Sequence, residues 1–162
     1  MTCRFDPMPP KNKITFFVAG DPRPQSRPRV VVKGGRAWAY SNAGEGLKLW
    51  RDSIAWTAKA AGPLTRSRAY RCELIFWMKR PLTHFKAGAL KLGAPLAHAS
   101  TPDADNLAKA ALDAIQGVRL LEDDAAVAWL VVAKLYATAG KGESCGGRPG
   151  LTCTIEALGG TT

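Results

Sequence analysis

Residues 101–127 read TPDADNLAKAALDAIQGVRLLEDDAAV, and this stretch decides how the rest of the chain is read. Leu107, Ala111, Ala114 and Ile115 recur at helical spacing, which predicts a helix over Asp105 to Gln116 that ends at Gly117. Pro102 disfavours helix for Thr101 and delays helix onset to about Asp105, so Asp103 or Asp105 falls where an N-cap acid belongs. The next segment, Ala125–Tyr136, is strongly apolar and strand-like, although its Ala, Leu and Trp residues also allow a helix, and Trp129 is expected in the core.

Upstream, the elements alternate in kind. Ile14–Gly20 is a short apolar run that predicts a strand, and Asp21–Pro28 carries three prolines and is expected to be an extended loop. Val30–Val32 and Ala37–Tyr40 flank Lys33-Gly34-Gly35-Arg36, a hairpin with a basic tip. Gly46 to Ala61 has helical spacing through Leu47, Leu49, Trp50, Ile54, Ala55 and Ala58, closed by Gly62-Pro63. Arg71–Lys79 predicts a well-buried strand, and Leu82 to Pro102 a long irregular connector of the sort that usually carries function. Downstream, Gly140–Gly150 is a glycine-rich loop and Leu151–Ala157 alternates as a final strand. The fold class expected is α+β: one compact domain over residues 14–158, with a mixed β-sheet and two main helices. Residues 1–13 are expected to be a flexible leader and 159–162 a flexible tail. No dinucleotide or P-loop fingerprint occurs.

Composition narrows the function classes. The chain has 162 residues and a net charge of +10, and 46% of it is hydrophobic, which suits one domain with a real core. No apolar run approaches the ~18–20 residues of a membrane span. The four cysteines, Cys3, Cys72, Cys145 and Cys153, form no Cys-x-x-Cys pair, and the two histidines, His84 and His98, add no zinc spacing. Reduced thiols and a cytoplasmic location are expected. The charge is uneven. Residues 1–102 hold 18 basic and 5 acidic side chains, a balance of +13, whereas residues 103–162 hold 5 basic and 8 acidic, a balance of −3. Six of the thirteen acids lie between Asp103 and Asp124. A basic body with one acidic knot suits an enzyme acting on nucleic acid.

The knot has the composition of a hard-cation site. Mg²⁺ takes a few carboxylate oxygens from a protein and completes its shell with water and phosphate. Asp103 and Asp105, two apart at a helix entrance, together with one of Asp123/Asp124, supply such acids. Lys109, four residues after Asp105, shares its helical face and supplies a cation. The same acids also serve as helix caps and turn formers, and Asp113 belongs more naturally to a polar helix face.

Asp103-x-Asp105-Asn106-Leu107-x-Lys109, Leu112-Asp113-Ala114, Asp123-Asp124-x-x-Val127 and Lys134 resemble the RusA family of Holliday-junction-resolving endodeoxyribonucleases, in the form found in phages and prophages. Phe17-x-x-Gly20-x-Pro22 with Arg27-Pro28-Arg29 is similar to the opening of many members, so the likeness covers about residues 14–137. The resemblance implies a Mg²⁺-dependent homodimer, with Mn²⁺ as an alternative ion, that places paired nicks in a four-way junction during DNA recombination and repair. It makes Asp103, Asp105 and Asp124 the metal-binding acids and Lys109 the catalytic lysine. Asp123 and Asp113 are left as supporting acids. Thr101 stands where many members have Lys or Arg, and Ala126 where Gln is common.

The candidate DNA contacts are Arg23, Arg27 and Arg29 of the proline-rich loop and Lys33 and Arg36 of the hairpin tip. Most of Trp38, Tyr40, Trp50, Trp56 and Trp77 are expected in the core, and Phe85 is a candidate wedge between bases. Two competing readings remain at this point. One is a structure-selective nuclease acting on flaps or forks, the other a branched-DNA-binding protein without catalysis.

Overall fold

Strict alternation in three segments builds the centre of the sheet. In β1 (Lys13–Ala19), Ile14, Phe16 and Val18 are buried; in β4 (Ala69–Met78), so are Cys72, Leu74 and Phe76; in β8 (Gly150–Leu158), so are Leu151, Cys153 and Ile155. Successive strand side chains point to opposite faces, so each strand contributes one buried row to the same side. The computed structural model describes residues 9–26, 29–40, 44–138 and 147–159.

Between these strands lie a hairpin of β2 (Arg29–Lys33) and β3 (Arg36–Tyr40), helix α1 (Glu45–Ala60), the two-residue strands β5 (Phe85–Lys86) and β6 (Ala89–Leu90), helix α2 (Ala104–Gly117) and strand β7 (Val127–Tyr136). The main sheet runs β1-β8-β4-β7. β8 is antiparallel to both β1 and β4, whereas β4 and β7 are parallel and joined through α2. This is the expected α+β domain with a mixed sheet and two main helices. β8, last in sequence, closes the sheet between the first strand and the middle one.

One face of the sheet is covered by the helices. Leu47, Trp50, Ile54 and Ala58 form the buried stripe of α1, and Leu107, Ala108, Ala110, Ala111, Ala114 and Ile115 that of α2. Each large apolar side chain buried there contributes about 1.5–3 kcal/mol. The small residues of α2 let its backbone pack closely against α1 and the sheet. Two glycines are dictated by packing. Gly20 has φ +139° and lies against the Trp50 ring, while a Cβ on Gly150 would collide with the Val18 carbonyl and the Phe17 ring.

Several expectations need correction. Trp129 is 64% exposed, not in the core. β7 is an edge strand, and the register pairs Trp129 with Arg71 and Val131 with Glu73, on the face the helices leave open. Leu130 and Val132, in register with buried Cys72 and Leu74, take the helix side instead. Trp38, Trp56 and Leu49 are also exposed, and Trp50 is the tryptophan buried in the core. The strand begins at Val127 because Asp124–Ala126 form a 3₁₀ turn. The connector is less irregular than its composition implies, since it holds a 3₁₀ turn at Leu82–His84 and the β5–β6 pair. The described end of the expected leader is paired: Lys11 bridges Leu64, and Lys13 already belongs to β1.

Candidate active site

The acids near 103 are presented by the entrance to α2. Asp103 is its N-cap, in extended conformation, but its side chain makes no capping hydrogen bond. Its Oδ2 lies 3.5 Å from the Asn106 side-chain amide, which donates to it. Asp105 sits in the first turn of α2, one residue inside a helix that starts at Ala104. Carboxylates there are favoured by the partial positive charge of the helix N-terminus. The turn is held from one side by the Gln25 amide, which donates to the Asn106 carbonyl at 2.8 Å, so the loop carrying Arg23 is docked onto the start of α2.

A groove of about 480 Å³ opens between α2 and β7. Asp105, Lys109, Asp113 and Asp124 line it, above an apolar floor of Leu112, Leu130 and Val132. Residues 105, 109 and 113 share this wall because each lies one turn beyond the last. Lys109 Nζ is 3.6 Å from Asp113 Oδ1, and Asp113 Oδ2 is 3.8 Å from Arg51 Nη2 on α1. Asp113 thus joins the groove to the other helix.

Asp123 and Asp124 are adjacent but do different work. Asp123 caps the 3₁₀ turn by accepting a hydrogen bond from the Ala125 amide at 3.0 Å. That bond holds its carboxyl below the usual carboxylate range. Asp124 is the one that faces the groove.

Among the described residues, no three His, Cys, Asp or Glu side chains gather closely enough to hold an ion by themselves. Asp105 and Asp124 line the groove, and Asp103 stands two residues before Asp105, outside its lining. The donor chemistry nevertheless fits a hard divalent cation. Mg²⁺ is usually bound through one or two carboxylates, with water and substrate phosphate filling the shell. A larger cavity of about 640 Å³ lies between Lys59, Arg66, Tyr70 and Arg119 and contains one acid, Glu122, so it has no comparable donor pair.

Of the expected DNA contacts, Arg23 is exposed near Gly46 at the start of α1, and Lys33 and Arg36 are exposed at the hairpin tip. Arg29 opens β2, while Arg27 lies outside the described residues. Phe85, the candidate wedge, is half-buried in β5. Nothing in the sequence signals the roles of Arg51, which pairs with Asp113, of Gln25, whose amide bonds the first turn of α2, or of the Lys134 ammonium. Arg51 reads as one more cation on a helix, and no sequence pattern pairs it with an acid 62 positions away.

No curated protein matches the chain. The family model for Endodeoxyribonuclease RusA matches residues 19–143. That span takes in both helices, β4, β7 and every residue lining the groove between α2 and β7. A match over most of the chain, which includes the helix that carries Asp105 and Lys109, means that the chain belongs to the RusA family of endodeoxyribonucleases.

Proposed function

We propose that the protein is a Mg²⁺-dependent endodeoxyribonuclease that resolves four-way DNA junctions by paired phosphodiester cleavage, in DNA recombination and repair. The observation that carries this reading is the convergence of Asp105, Lys109 and Asp124 on one open groove. Family membership supports nuclease activity in general, and nucleases of this family are generally divalent-metal dependent.

Asp105 and Asp124, with Asp103 at the adjoining cap, hold Mg²⁺ or Mn²⁺. When bound, the ion acts as a Lewis acid toward a phosphoryl oxygen and lowers the pKa of a water. Lys109 brings a positive charge to the phosphate as negative charge builds on it. Asp113, itself paired with Arg51, holds that ammonium on the groove wall. Asp123 fixes the turn that aims Asp124. Arg23, Arg27, Arg29, Lys33 and Arg36 bind flanking phosphates and orient the duplex arms, the part of binding that carries no sequence information. A symmetric junction needs two cuts in opposing strands, and a two-fold homodimer offers two equivalent sites. The protein works in the cytoplasm, with its DNA.

The test is cleavage of a synthetic four-way junction beside flap and fork substrates of the same sequence. Wild type should cut the junction in paired positions, only with Mg²⁺ or Mn²⁺. Asp105→Asn should abolish cutting while leaving junction binding within about threefold. Cutting that survives this substitution, or that needs no divalent ion, overturns the site. A preference for flaps or forks overturns the junction substrate alone.

A further inference from the structure

Lys134 comes from the strand that follows the site, yet it reaches back to the segment that precedes it. Its register partner on β4 is buried Phe76, so its side chain leaves the sheet on the helix side, in the same row as Leu130 and Val132. A half-buried ammonium needs hydrogen-bond partners in place of water. Lys134 Nζ donates to the carbonyl oxygens of Ser100 and Pro102, at 2.7 Å each. Its own backbone carbonyl accepts from the His98 amide at 3.0 Å. One residue therefore fastens the 98–102 segment to β7 through both main chain and side chain. Pro102 is followed directly by Asp103, the N-cap of α2, and the first helical bond runs from the Leu107 amide to the Asp103 carbonyl at 3.2 Å.

The placement is electrostatically unusual. A cation near a helix N-terminus opposes the helix dipole. The two carbonyls offset this at Lys134, and their short charge-assisted bonds leave one of the three ammonium donors for anything else. An exposed lysine used for DNA phosphate has no need of such anchoring. On the opposite side, the Gln25 amide bonds the Asn106 carbonyl, so the Asp103–Asn106 turn is gripped from both flanks.

We propose that Lys134 is a positioning residue: it clamps the chain entering α2 so that Asp103 and Asp105 are set, relative to Asp124, for divalent-ion binding. This rests on the reading of those acids as the metal site. The clamp acts through the backbone, and Lys134 itself touches neither the ion nor DNA.

The experiment compares wild type with Lys134→Met, which keeps the length and loses the donors, and Lys134→Arg, which keeps donors. Mn²⁺ binding is read by electron paramagnetic resonance, amide exchange over 103–107 without metal, and junction affinity against salt without divalent ion. Lys134→Met should weaken Mn²⁺ about tenfold and speed exchange at the Leu107 amide about tenfold. It should raise the half-saturating Mg²⁺ for cleavage more than it lowers the maximal rate, and Lys134→Arg should recover most of each loss. Junction affinity and its salt slope should stay as in wild type. Unchanged Mn²⁺ binding in Lys134→Met overturns the clamp, and so does a reduced salt slope, which identifies a phosphate contact instead. Should Lys134→Met not fold, Lys134→Gln, too short to span both carbonyls, is read by the same criteria. Wild type that neither binds Mn²⁺ nor cuts DNA defeats the metal-site reading itself, a result distinct from any difference among the variants.

Discussion

The Lys109 ammonium lies 3.6 Å from Asp113 Oδ1, one turn further along α2, and Asp113 in turn lies 3.8 Å from Arg51 of the neighbouring helix. The lysine assigned to the phosphate is thus held on the groove wall by an acid that is itself tied to α1. Lys109→Met should lower junction cleavage by roughly 10²-fold, the scale of losing one transition-state donor, with junction binding nearly unchanged. Asp113→Asn should cost only about 0.5 kcal/mol of stability in urea titration, as expected of a partly exposed ion pair. Its cleavage should fall less than in Lys109→Met. Equal losses in the two variants would instead place Asp113 among the groups that touch substrate or metal.

β2 and β3 pair with each other in a separate two-stranded sheet, and Lys33 and Arg36 are exposed at the hairpin tip. A basic arm of this kind adds affinity through counterion release. The double variant Lys33→Gln/Arg36→Gln should bind junction more weakly. It should also lower the slope of log affinity against log salt by roughly 1 for each phosphate left without its cation. Cleavage at saturating protein should persist. An unchanged slope would remove the hairpin from the DNA interface.

The elements were legible because their signals are local. Helical spacing located α2 to within a residue, a short apolar run located β1 and alternation located β8. Asp105 and Asp124, which line the groove, could be singled out because two acidic clusters bracket one helix. What escaped was set by position in the sheet. An apolar run such as Val127–Ala133 looks buried whether its strand is central or at an edge, and only the order β1-β8-β4-β7 makes Trp129 a surface residue. Spacing alone leaves Asp123 and Asp124 equivalent and only the family resemblance singles out Asp124, whereas in the structure the 3₁₀ turn separates the cap from the groove acid.

That difference between tryptophans is measurable. Trp50 is 4% exposed under α1, whereas Trp129 is 64% exposed on β7. Trp50→Ala should cost about 3–5 kcal/mol, the usual range for emptying a large aromatic site. Trp129→Ala should cost under ~1 kcal/mol in a dilute monomer, as surface changes do. A large loss at Trp129 that grows as the protein is concentrated would show that the open edge is covered by another copy.

His98 gives the fold a pH dependence of known sign. Burial first, and then the Lys134 ammonium, hold its pKa below the usual 6.5, although hydrogen bonds to the His98 and Ser100 backbone pull the other way. The folded protein therefore takes up this proton less readily than the unfolded chain does. Stability from His98 is fully present above about pH 6.5 and declines as pH falls below it, since the unfolded state then binds more protons. Protonated His98 also faces the ammonium that fastens Ser100 and Pro102, so acid weakens the segment leading into α2. The thermal midpoint of wild type should fall between pH 7 and about pH 5.5, a window in which ordinary carboxylates stay ionised. His98→Gln, which cannot titrate, should start lower at pH 7 and lose less across the same interval. His84, which also packs against the Tyr136 ring, is present in both proteins, so the difference between the two curves isolates His98. Parallel curves would mean that His98 titrates alike in the folded and unfolded chains.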